Sequence, residues 1–479
     1  MFSFTTIEEY HSYLRDTPAG CSRAVEHYLA RINASTHLNA FTEVYAEECL
    51  AKAMQLDDKR AKGEPLKKLH GVIIALKDVI CYKDHKVTAA SKFLKNFTSL
   101  YNATAVDKLL AEDAIIIGTC NCDEFAMGST NEHSAYGKVL NAFDETRVPG
   151  GSSGGSAVAV QAGMCMLSLG SDTGGSVRQP ADHCGIIGFK PSYGTISRHG
   201  LIAYASSFDQ IGIFGTTLCD IEKLLKVMEG PDDFDGTVTQ LPQSIVEINK
   251  APNKKYKIAF LQNAIEHDSL DPEIKNAITS LGEDLKLQGN EVTFIEFDLL
   301  DYVVPAYYIL TTAEASSNLS RYDGIRFGHS NSTTKIELTN FYTRNRSEGF
   351  GTEVKRRIML GTFVLSAGYF DAYYTKAQQV RRLLVEKTHV LFAEYDAVIL
   401  PCVPATAPKI GEMINDPVKM YLSDIYTVFA NLTGIPAISV PLFRHSNRLP
   451  FGAQIMTNTH NEVTLLHISE TLMSICRKE

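Results

Sequence analysis

No Cys-x-x-Cys pair occurs in these 479 residues. The ten cysteines are scattered, and the one close pair, Cys120 and Cys122, has no second pair to match it. Disulfide scaffolds and zinc sites need paired spacings, so no metal is expected here and the thiols should be free, as in the cytoplasm. An excess of basic residues is also lacking, since the net charge is −9. Gripping nucleic acid takes clustered Lys and Arg, so a partner would have to do most of that holding. The opening stretch MFSFTTIEEYHSYL has no basic start and no apolar segment, and it carries Glu8 and Glu9. It fits neither a signal peptide nor an arginine-rich transit peptide. No apolar run approaches the roughly 18 residues of a membrane span, so no membrane role is expected. Repeats and low-complexity tracts are absent too.

What remains is a globular composition, 44% hydrophobic and 21% charged. The first 60 residues or so show helical spacing, in TIEEYHSYLRD and CSRAVEHYLARINA. GVIIALKD (71–78) and AIIIGTCN (114–121) have the run of apolar residues that a buried strand needs. A helix from about Ser156 and a strand ending near Asp172 follow. Further strands are expected in YKIAFLQN (256–263), YDAVILPCVPA (395–405), IPAISVP (435–441) and FGAQIM (451–456), with helix over 354–394. Short apolar strands alternating with helices predict an α/β fold whose sheet is covered on both faces. The stretch 230–243 is a surface loop too short to part independent domains, so residues 1–479 are expected to form a single large domain.

Glycine is concentrated in one region, with 11 in the 45 residues from Gly150 to Gly194. Two clusters carry them, PGGSSGGS and GSDTGGS. A flexible linker would be polar throughout, whereas these glycines alternate with Val, Ile, Leu and Ala. A phosphate loop would need GxxxxGK[ST] or GxGxxG, and neither is present. A catalytic loop remains, in which glycines let backbone N–H groups converge on one point and serines supply hydroxyls. A serine nucleophile needs a base. The local histidines, His183 and His199, are better explained as structural or surface residues. Lys77 ends the apolar run GVIIAL, where burial would favour its neutral form and make it a candidate base.

GVIIALKD, PGGSSGGS and GSDTGGSVRQPADHCGIIGFKPSYG together resemble the amidase signature family. The order of the three segments matches, and so does the spacing, with 75 residues from Lys77 to Ser152 and 24 from Ser152 to Ser176. The resemblance implies a mixed central sheet, with the signature core at about 70–215. It also implies a Ser–cis-Ser–Lys triad, with Ser176 as nucleophile, Ser152 as bridging serine and Lys77 as base. The N–H groups of Thr173, Gly174, Gly175 and Ser176 would form the oxyanion hole, with Asp172 and Arg178 as structural supports.

Four more segments, 121–137, 312–328, 346–374 and 416–441, resemble the glutaminase subunits of tRNA-dependent amidotransferases within that family. That likeness implies glutamine as substrate. Arg357 would hold its α-carboxylate and Asp424 its α-amine, beside Tyr307; Arg356 and Tyr308 are the neighbours that could take those roles. MGST runs straight on to Asn131, where relatives carry a second small residue. This leaves the role of Ser129 open. Two partners are implied. One is a tRNA-binding kinase and transamidase (the B subunit), which would also hold ATP and magnesium. The other is a small third protein (the C subunit). No cofactor is implied in this chain. A free-standing amidase of small amides is the alternative activity, and an inactive scaffold is the non-enzymatic one.

Overall fold

A computed structural model describes residues 4–239, 254–330, 337–413 and 417–476. Among them, eleven strands join in one mixed sheet. They are β1 Phe41–Val44, β2 Ile73–Lys77, β3 Ile115–Cys120, β4 Leu167–Ser171, β5 Ile187–Lys190, β6 Ile211–Gly215, β7 Lys257–Leu261, β8 Glu291–Ile295, β9 Ala397–Pro401, β10 Ala437–Arg444 and β11 Pro450–Thr457. Their order is β1-β3-β2-β4-β6-β5-β10-β11-β9-β7-β8. The apolar runs IIAL, III and LSL are buried along their whole length because helices cover the sheet on both sides. Helices Gly154–Gln161 and Arg178–Cys184 pack on one face, and helices Leu218–Met228 and Glu462–Cys476 on the other. One continuous apolar core runs through the sheet.

Three expectations need correction. The first 60 residues are not all helical, because Phe41–Val44 forms an edge strand antiparallel to β3. Asn39, with φ of +55°, turns the chain out of the preceding helical segment, and the aromatic and β-branched FTEV then suits an extended strand. The stretch 354–394 is two helices, Thr352–Val364 and Lys376–Glu394, with a π-helical turn at Asp371–Thr375 between them. Strands β5, β6 and β8 also escape a reading by apolar runs, since two of them hold glycines and β8 is only partly buried. Of the loop expected at 230–243, residues 240–243 lie outside the described residues.

β2 and β4 are parallel neighbours, so their carboxyl ends lie side by side. β2 ends at Lys77 and β4 ends at Ser171, immediately before the second glycine-serine loop. Carboxyl ends of parallel strands are where α/β sheets build their sites.

Candidate active site

Lys77 is completely buried. Its Nζ lies 2.6 Å from Ser152 Oγ and 2.9 Å from Ser171 Oγ, donating to both. Burial pushes the lysine down to about 8, against the opposing pull of Cys122, Asp123, Asp172 and Asp209 nearby. A lysine in that range can be neutral near physiological pH and so accept a proton. Ser152 follows a cis peptide bond from Gly151. Its carbonyl accepts from the Asp123 N–H at 3.1 Å. Ser153, the next residue, exchanges hydrogen bonds with the backbone of Ser171, at 3.2 Å from its hydroxyl and 3.3 Å to it. The two glycine-serine loops are thereby stitched together.

The second loop is shaped by Asp172. Its carboxylate accepts from the Gly175 N–H at 2.8 Å, the Val177 N–H at 3.2 Å and the Arg178 guanidinium at 2.9 and 3.1 Å. Burial opposes the charge on Asp172, but Arg178, with help from Lys190 and Asn431, outweighs it and holds the carboxyl well below the usual range. Arg178 is itself fully buried and bonded to the Thr427 carbonyl and to Asn431. The Gly175 N–H is therefore already engaged. The N–H groups of Thr173, Gly174 and Ser176 donate to no acceptor among the described residues, and these three are free to receive an oxyanion. Gly174 is required by close approach, since a Cβ there would strike Tyr307 Oη. Gly175 has φ of +125°, and a Cβ would strike Thr427. Ser176 is 9% exposed, the most open of the triad residues named by the sequence.

Beyond the loop, opposite charges are held apart. Asp424 accepts from Tyr308 Oη at 2.6 Å and from Ser129 Oγ at 3.0 and 3.2 Å. Burial pushes its carboxyl up to about 6. Arg357 donates from Nε to Glu353 at 2.9 Å and from Nη1 to Tyr204 Oη at 2.8 Å. The rings of Tyr204, Tyr308 and Tyr421 surround its guanidinium at 5.4, 5.5 and 5.7 Å. Its Nη2 donates to no acceptor among the described residues, which leaves donors for a carboxylate. Arg356 takes the other Glu353 oxygen and lies outward, with its side chain 38% exposed against 3% for Arg357. The helical phase thus turns Arg357 inward. The neighbouring tyrosines divide as well, with Tyr308 bonded to Asp424 and Tyr307 packed over the Gly174 loop.

A model of the family described as Amidase matches residues 23–466. The chain belongs to the amidase family. Two of this amidase's relatives carry the name of the A subunit of Glutamyl-tRNA(Gln) amidotransferase. That of Chlorobium luteolum is 46% identical over 468 residues, covering 97% of this chain and 96% of its own length. That of Koribacter versatilis is 44% identical over 470 residues, covering 98% and 97%. The crystal structure of the same A subunit from Thermotoga maritima superposes with a TM-score of 0.79 at 37% identity, covering 97% of this chain and 93% of that one.

Several residues of the amidase site carried no legible signal in the sequence. Ser171 is one serine in a buried strand, and only the register of β2 against β4 brings it to Lys77. Tyr204 and Tyr421 reach Arg357 from distant segments. Glu353 could have been found, because it lies four residues before Arg357 on one helix face. No helix among the described residues is long and apolar enough to cross a membrane. No cluster of three or more His, Cys, Asp or Glu among them could hold a metal.

Proposed function

We propose that this amidase is the glutaminase subunit of a tRNA-dependent amidotransferase, releasing ammonia from glutamine for use on Glu-tRNA(Gln). The observation that carries this reading is the near full-length identity with the A subunits of that enzyme. The opposed Arg357 and Asp424 support it, because an α-amino acid presents a carboxylate and an ammonium together.

In this reading neutral Lys77 takes the proton of Ser152, and Ser152 takes that of Ser176. Ser176 Oγ bonds to the amide carbon, and the carbonyl electrons move to oxygen. The N–H groups of Thr173, Gly174 and Ser176 receive that charge. A single oxyanion donor is worth about 3–4 kcal/mol. The tetrahedral intermediate collapses, its C–N bond breaks, and the nitrogen leaves as ammonia with the proton returned from Lys77. Water then hydrolyses the acyl-enzyme to glutamate. Arg357 holds the α-carboxylate through its open Nη2, and Asp424 holds the α-ammonium, a charge that would keep its raised carboxyl ionised. Tyr307 closes over the loop.

The B subunit would bind the tRNA and hold ATP and magnesium, with the small C subunit joining the two larger chains. Buried cysteines such as Cys21, Cys120 and Cys165 are free thiols, which suits work in a reducing cytoplasm. Ammonia release from glutamine tests the reading. It should rise when the partner chains are added and fall by more than about a hundredfold in Ser176→Ala. Turnover of simple amides at full rate without partners, with no response to glutamine, would favour a free-standing amidase instead.

A further inference from the structure

The triad accounts for one of the two hydroxyls that touch Lys77. The other, Ser171 Oγ at 2.9 Å, has no part in the proton path. It is nonetheless held with care. Its backbone N–H and carbonyl are both clasped by Ser153, the residue after the bridging serine. Its side chain ends β4 beside the end of β2.

A neutral amine has two N–H groups and one lone pair. To accept a proton from Ser152, Lys77 must aim the lone pair at Ser152 Oγ. An acceptor elsewhere on Nζ fixes that rotation by taking one N–H. We infer that Ser171 is a positioning residue for the base, holding the Lys77 amine so that its lone pair faces Ser152 and bonding to the ammonium once the proton has moved. This rests on the triad reading above. Cys122, Asp123, Asp172 and Asp209 are the titratable groups around Lys77, and none of them hydrogen-bonds to Nζ among the described residues. Among the described residues, Ser171 is thus the one hydrogen-bond partner besides Ser152 able to set the rotation of the amine.

A hydrogen bond that favours the charged form raises a lysine's pKa. Losing Ser171 Oγ should therefore do two things at once. It should slow proton removal, and it should move the lysine's titration to lower pH. A packing defect would do only the first.

The test is the labelling of the full chain by a fluorophosphonate. Ser176 Oγ bonds to phosphorus, fluoride leaves with the P–F electron pair, and the hydroxyl proton passes through Ser152 to Lys77. Glutamine recognition is not involved. The wild-type rate should rise with pH as the lysine loses its proton. Ser171→Ala should lower the plateau rate by about tenfold or more and move the midpoint down by about half a pH unit or more. Ser171→Cys, with a similar shape and a weak acceptor, should behave like the alanine variant and gives the same readout if that variant fails to fold. Ser171→Thr, which keeps the hydroxyl, should restore the midpoint. A slowed variant whose midpoint stays where the wild type's is, or a variant with wild-type rates, overturns the inference while leaving the triad intact. Failure of the wild type to label at Ser176 overturns the triad reading and this inference with it.

Discussion

Lys77 and Lys190 are both fully buried, and each is the last residue of a strand. Burial pushes both down, Lys77 to about 8 and Lys190 to about 7, where the charge of Arg178 adds to the effect. Their partners differ. Lys190 donates to the backbone carbonyls of Pro191 and Ile435, at 2.9 and 2.6 Å. A carbonyl has no proton to give, so Lys190 can only clip the end of β5 to the segment before β10. Lys77 faces two hydroxyls, and a hydroxyl can both accept and donate. A depressed lysine is therefore not enough to mark a base. The chemistry lies in what the amine touches.

Substitution at the two lysines should separate their roles most sharply. Lys77→Arg should lower glutamine hydrolysis by about a thousandfold or more, because arginine keeps its proton. Lys77→Met should be equally inactive yet more stable at pH 7, by about 1–2 kcal/mol. The sign follows from proton counting. The folded lysine releases its proton near 8 and the unfolded one near 10.5. Between those values the unfolded chain binds more protons, so wild-type stability rises with pH across that window, and the advantage of the methionine should fade over it. Chemical denaturation at pH 7 and pH 10 measures this. Below about pH 8 the wild-type kcat/KM should fall as the base becomes protonated.

Arg357→Ala should act on binding, raising KM for glutamine by about 30-fold or more with a smaller change in kcat, as loss of a buried charge contact does. Arg356→Ala should leave KM within a few-fold. Steady-state kinetics on the two variants checks whether the inward turn of Arg357 decides the clamp. The smallest effect is expected at the clip. Lys190→Met should leave two carbonyls without a donor, a loss of about 1–3 kcal/mol set against relief of the buried, depressed amine, and should keep glutaminase activity within about tenfold. A folded Lys190→Met protein as inactive as Lys77→Met would mean that the hydroxyl partners are not what separates the two lysines.

The parts legible in the sequence are those where local chemistry demands unusual residues. Close approach of neighbouring segments demanded the glycine runs around Ser152 and Ser176, where a Cβ at Gly151, Gly155 or Gly174 would strike a neighbour, and those runs stand out against any core. The buried strands were legible because full coverage makes them uniformly apolar, as with IIAL before Lys77. Ser171 and Lys190 were not legible as partners of anything, because their roles come from sheet register and from a chain segment 245 residues away. The choice between Arg356 and Arg357 was hidden for a different reason. It depends on which way one helix faces, and packing against Tyr204 and Tyr421 sets that. The engaged Gly175 N–H likewise follows from the fold of the Asp172 loop rather than from the motif.

On the proposed function, this chain only makes ammonia, through Ser176, while the acyl group is activated elsewhere. The most direct measurement is amidation of mischarged tRNA by the assembled complex carrying Ser176→Ala, with ATP and either glutamine or ammonium chloride. No amidated tRNA should form from glutamine. Ammonium chloride should restore its formation, and more so at higher pH, where the neutral amine is more abundant. An intact complex that fails with both nitrogen sources would contradict a role confined to ammonia release, because Ser176 would then be needed for the transfer itself.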